Sequence, residues 1–197
     1  MIYQALKLIV SELNTYLDPV EGDQAVLGNI ALYESKLEGS QLTDKVVATL
    51  VGIQEEASLK NRPPYRVNSL QQTEYKNPPV TLNLKLLFSV TTENYNNALV
   101  YLSRVIAFFQ HKRSFTNQNT PVPPATPEIE GMQRFKLLLD LYSPSFEENN
   151  YLWGTLGGKQ FPSALYKVRL VEIAREDALK ESRGVIKNIE TTGKTLE

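Results

Sequence analysis

The 197-residue chain contains no cysteine, and that single absence removes three chemistries. Disulfides, thiolate nucleophiles and cysteine-ligated zinc or iron–sulfur sites are all excluded. The same absence suits a reducing cytoplasm and an extracellular particle equally. One histidine, His111, is present, so metallohydrolases needing two or three imidazoles from one chain are excluded too. Neither sign of charge predominates. With 21 basic and 22 acidic residues the net charge is −1, without the basic excess of a dedicated nucleic-acid binder. No apolar run reaches about 18 residues, which argues against a membrane-spanning helix. The N-terminus lacks the basic region and apolar block of a secretory signal.

What is present is ordinary globular material, 42% hydrophobic and 22% charged. The length suits one domain with an extension. Ile2, Leu6, Ile9, Leu13 and Leu17 recur at helical spacing, predicting an amphipathic helix over residues 1–17 with Lys7, Glu12 and Asn14 on its other side. Asp18-Pro19 ends it. A short strand is expected over Ala25–Leu32, with Gly28 marking a bulge. Lys45–Gln54 is apolar on both faces and suits a strand inside a sheet. Glu55–Lys76 is polar and reads as a long loop or hairpin excursion.

Val80–Val90 alternates cleanly. One face should meet the core; the other, with Thr81, Asn83, Lys85 and Ser89, should be solvated or face a partner, broken only by Leu87. Glu93–His111 carries two apolar rows, predicting a central packing helix buried over roughly half its circumference. Thr116–Ile129, with four prolines, reads as a stiff exposed excursion. Phe135, Leu137, Leu139 and Leu141 alternate as a strand. Ser143-Pro144 reads as N-cap and first residue of a helix that presents Phe146, Trp153 and Leu156 and stops at Gly157-Gly158. Ala164–Ile173 is the last expected strand.

The order gives one compact α+β domain over residues 1–174. Its sheet has four to five strands, mainly antiparallel or mixed, packed by two long helices and one short helix. Residues 175–197 form a C-terminal arm or tail, charged and thinly apolar. Within it, Val185-Ile186-Lys187-Asn188-Ile189 has the length and β-branched content of a strand that could add to a partner's sheet edge.

No catalytic, cofactor-binding or metal site is legible. Glu55 and Glu56 are adjacent at a strand end, so they point to opposite faces rather than sharing a proton. His111 could be sketched with Ser103 or Ser114, but no nucleophile elbow supports a triad. The cluster His111, Lys112 and Arg113 is too small for nucleic acid. It complements a helix C-terminus and is also a candidate contact for an acidic neighbouring ring. Pro121-Val122-Pro123-Pro124 satisfies P-x-x-P without a close basic flank, and Gly154, Gly157 and Gly158 lack the phosphate-loop ending. Trp153 is either core or an interface anchor. The candidate interface residues are therefore Leu87, His111, Lys112, Arg113, Val185, Ile186 and Ile189.

Two blocks carry a resemblance. They are the strand and helix from Pro78-Pro79 through Leu82-Asn83-Leu84 to Phe108-Phe109-Gln110, and Leu152-Trp153-Gly154 followed by Phe161-Pro162-Ser163-Ala164-Leu165-Tyr166-Lys167. With Leu13-Asn14, Tyr16-Leu17, and the Lys45–Glu56 strand followed by Asn61, they resemble the cap, or tube-terminator, proteins of contractile phage-tail-like injection systems. The resemblance covers about residues 1–173. It implies a non-enzymatic homohexameric ring on the last disc of the inner tube, ending tube growth and tying the tube to the last sheath ring. The implied partners are the chain itself, a tube protein and a sheath protein, with no nucleic acid, membrane or cofactor. Assembly would be cytoplasmic, within a particle either released or membrane-anchored. A neck or baseplate ring of the same machine is the alternative, and a small hydrolase using His111 and a carboxylate is the rival from another class.

Overall fold

In a computed structural model, residues 2–17, 24–35, 39–59, 65–67, 73–75, 79–120, 135–173 and 180–182 are described. The chain opens with helix α1 (Ile2–Leu17) and strands β1 (Ala25–Leu27) and β2 (Val46–Glu55). A 3-10 turn (Ile30–Leu32) and the one-turn helix α2 (Gly39–Leu42) lie between those strands. The hairpin β3 (Tyr65–Val67) and β4 (Thr73–Tyr75) precedes β5 (Val80–Val90) and α3 (Tyr95–His111). Then come β6 (Ser114–Thr116), β7 (Lys136–Tyr142), α4 (Phe146–Thr155), β8 (Ser163–Ile173) and β9 (Lys180–Ser182).

The main sheet has six strands in the order β1-β2-β5-β8-β7-β6, and only the β1–β2 pair is parallel. The strand of this sheet that was not expected is β6, whose three residues are too few to leave a period in the sequence. The second sheet is β3-β4-β9. Its last strand comes from the segment expected to be an arm: Lys180 pairs with Tyr75 and Ser182 with Thr73. Val185, Ile186 and Ile189 lie outside the described residues.

Both faces of the main sheet are covered. Leu84, Leu86, Phe88 and Val90 of β5 meet α1 and α3 in the larger core. Phe109 lies 5.0 Å from Phe88 and 4.8 Å from Tyr166, ring centre to ring centre. Burial there pushes the Tyr166 hydroxyl up to about 12.

The opposite face of β5, expected to be solvated or to face a partner, is largely buried within its own chain. Thr81, Asn83, Leu87 and Ser89 are each less than 5% exposed. A second core of Ile30, Leu42, Val47, Leu87, Trp153 and Leu165 lies on that side, formed by α4 and the β1–β2 connection. Leu87 is thus 1% exposed and packed within its own chain, not presented to a partner. Trp153 is core as well. Phe146 is not: it is 90% exposed at the first turn of α4, so it does not share the buried face of Trp153 and Leu156.

Local chemistry explains other departures. The run read as a strand over Ala25–Leu32 stops at Leu27. A Cβ on Gly28 would stand 2.7 Å from Leu42 Cδ2, so this glycine serves close packing rather than a bulge. Thr49 holds the turn that follows, accepting from the Ile30 N–H (3.1 Å) and donating to the Gly28 carbonyl (2.7 Å). Asn14, expected on the outer side of α1, binds the free edge of β1. It takes the Ala25 N–H (2.6 Å) and donates to the Ala25 carbonyl (2.7 Å).

Helix α4 starts two residues later than expected. Ser145 is its N-cap because Glu148 lies three residues on and closes a reciprocal capping box, at 3.1 and 2.9 Å. The Ser145 N–H, and then the Tyr142 hydroxyl, hold the Glu148 carboxyl below its usual range. Ser145→Ala should lower stability by about 1 kcal/mol, read as an earlier midpoint in urea with an unchanged slope.

Candidate interaction surface

The residues that could suggest catalysis are occupied otherwise. The Ser103 hydroxyl donates to the Leu99 carbonyl of its own helix (2.7 Å). Glu56 accepts from Asn83 Nδ2 (2.8 Å) and from the Ser58 N–H (3.2 Å). Those bonds, Asn83 foremost, keep its carboxyl below the ordinary range, a charged acceptor rather than a proton donor. Among the described residues no cluster of three His, Asp or Glu could hold a metal ion. No described helix is long and apolar enough to cross a membrane.

The His111-Lys112-Arg113 cluster is divided by the fold. Lys112 is the C-cap of α3, and its Nζ reaches Glu12 of α1 at 2.6 Å and the Asn119 carbonyl at 3.1 Å. It therefore ties α1 to the end of α3. The Arg113 carbonyl accepts from the Leu139 N–H (2.9 Å). His111 and the Arg113 side chain remain exposed, a smaller basic feature than the triplet suggested.

Helix α3 departs most from expectation. Only Ala98, Val105, Phe108 and Phe109 are buried. The row Tyr95, Leu99 and Ile106 stays exposed, so the apolar stripe is broader than the surface the chain itself covers. Beside this row, a cleft of about 280 Å³ runs between Ile106, Leu141 of β7 and Leu152 of α4. At the far side of the sheet a cleft of about 750 Å³ opens between Ile2 and Leu6 of α1, Leu50 and Val51 of β2, and Leu156. Two large apolar side chains lie near these clefts on the flanking strands, Leu141 and Ile53, each 55% exposed. The clefts mix apolar and polar lining, are open, and lie towards opposite edges of one sheet. Sequence reading missed both, although the broad stripe of α3 was the signal for one.

The profile of the Pvc16 N-terminal domain matches residues 5–186. The chain belongs to that family. The match runs beyond residue 174 and takes in β9. No curated protein matches the sequence. Among solved structures, the fold is similar to the PVC sheath/tube terminator of an extracellular contractile injection system in its extended state. The TM-score is 0.66 at 15% identity, covering 100% of this chain and 64% of that one. It is also similar to the anti-feeding prophage cap, a tube-terminating cap, with a TM-score of 0.62 at 16% identity over 96% of this chain and 60% of that one. The chain thus spans less than two thirds of the length of both. The likeness is one of fold.

Proposed function

We propose that this chain is a structural, non-enzymatic cap of a contractile injection system. It forms a homohexameric ring on the last disc of the inner tube, ends tube polymerisation and links the tube to the last sheath ring. Membership of the Pvc16 N-terminal domain family over residues 5–186 carries this reading. The fold likeness to two tube terminators, across all or nearly all of the chain, supports it. The mechanism is geometric. One ring face repeats the contacts of a tube subunit, and the other offers no seat for a further disc. A head-to-tail interface closes only when the rotation per subunit divides the circle, so capping and ring closure are linked. In this reading the residues after β9, with Val185, Ile186 and Ile189, make the sheath contact.

Deletion of the protein from producing cells should yield tubes of uncontrolled length or particles lacking sheath, seen by electron microscopy of purified particles. Sheathed particles of uniform length in its absence would overturn the proposal.

A further inference from the structure

We infer that neighbouring copies join edge to edge, residues 140–142 of β7 in one copy pairing with residues 50–54 of β2 in the next. This rests on the ring reading above and specifies which surfaces close the ring.

Among the described residues both edges are open because their flanking strands are short. Strand β1 pairs only with Val46, Val47 and Ala48 of β2. Strand β6 pairs only with Lys136, Leu137 and Leu138 of β7, after which the Leu139 N–H still reaches Arg113. Among the described residues, no strand lies outside β2 from Leu50 to Gln54 or outside β7 from Asp140 to Tyr142. Unpaired edges of this kind invite another strand, and proteins that keep them free usually place lysine or proline there. Neither stretch contains either residue; β2 carries a bulge between Leu50 and Gly52, and the charge of Asp140 on β7 is paired within the chain with Arg169 at 2.6 Å.

The two openings match in position. Leu50 pairs with Leu86, Leu86 with Tyr166 and Tyr166 with Leu141, so they end the same transverse row of the sheet. They match in direction as well. Three successive antiparallel pairings separate β2 from β7, so the two run oppositely within one copy. Two copies side by side in the same orientation therefore bring β7 against the next β2 as an antiparallel pair.

Side chains agree. Leu141 lies opposite Tyr166 and Ile53 opposite Leu84, and both partners belong to the core beneath α1 and α3. On the shared row Leu141 meets Leu50 of the next copy, and Ile53, on the same face, lies diagonally across from it. Above them, the uncovered Ile106 row of α3 lies beside the β7 edge, and Ile2 of α1 beside the β2 edge. Within one chain α1 already packs against α3, Tyr16 lying 5.3 Å from Phe108. The next copy's α1 repeats that arrangement on the other side of α3. The bodies of β6 and β1 obstruct a longer ladder and limit pairing to about three residues, which gives one register.

The test uses the lack of native cysteine. Leu50→Cys and Leu141→Cys, which share a row, are introduced singly and together, and ring-forming protein is oxidised and run on non-reducing gels. The double variant should give a ladder of covalent multimers ending at the closed ring, because paired residues meet at disulfide distance. Each single variant should stay uncrosslinked, and a mixture of the two singles should stop at dimers. Crosslinking of either single variant would mean two-fold pairing and overturn the inference. So would a native-mass ring from the double variant with no covalent ladder, which leaves the cap reading intact. Wild-type protein that remains monomeric on tube ends would overturn the cap reading, and this interface with it.

Discussion

Leu87→Asp is expected to leave the chain unfolded, with little soluble protein and no cooperative thermal transition. Leu87 is 1% exposed and belongs to the second core with Val47, Trp153 and Leu165. Truncating a buried leucine alone costs about 2–5 kcal/mol. A carboxylate in its place adds the larger penalty of an uncompensated buried charge. The nearest cation along the strand, Lys85, already lies over the Tyr142 ring at 4.7 Å. The combined loss approaches the whole stability of an ordinary domain, about 5–15 kcal/mol. Leu87→Ala should remain folded, with its urea midpoint lowered by the leucine term alone. A soluble Leu87→Asp monomer with a native melting transition would show that the second core does not hold this face of the sheet.

Phe109→Ala should be the most damaging change on α3, at about 3–5 kcal/mol. Its ring touches those of Phe88, Phe108, Phe115 and Tyr166, so it joins the helix to strands β5, β6 and β8 at one point. Only three other residues of α3 are buried, and the helix has no second anchor of that size near the sheet centre. Chemical denaturation monitored by circular dichroism measures the loss. A change below about 1 kcal/mol would mean that the aromatic cluster is not what seats α3.

The contrast between these two sites shows what the sequence could disclose. The alternation of β5 and the spacing of α1 dictate which residues point together, and both elements form where that periodicity predicts. Periodicity does not say what lies opposite. Polar Thr81, Asn83 and Ser89 read as solvent-facing, yet all three are buried, and α4 with the β1–β2 connection covers Leu87 between them. That cover contributes few apolar residues of its own, chiefly Trp153, Ile30 and Leu42. Leu87 was the one residue on that face whose character betrayed the cover, and it fitted an interface equally well. On α3 the ambiguity ran the other way. A stripe built for a partner and a stripe built for the core use the same side chains at the same spacing. The Trp153 to Lys167 block behind the family resemblance has a plainer physical role. It places Trp153, Phe161 and Leu165 in the second core and Tyr166 in the first, so it couples the two sides of the sheet.

Strand order also governs how the chain must be made. Strand β5 lies between β2 and β8, and Leu87 finds its partner Leu165 far downstream. As the polypeptide leaves the ribosome, β2 and β5 can meet early, while the other side of β5 waits until α3, β7 and α4 have emerged. Pairings so distant in sequence are slow to form. During that interval a long, largely apolar strand carries an open edge, the condition in which nascent chains stick to one another. Production therefore favours low expression or a chaperone that shields β5, and C-terminal truncations that remove β8 should reach the insoluble fraction rather than accumulate as smaller folded domains.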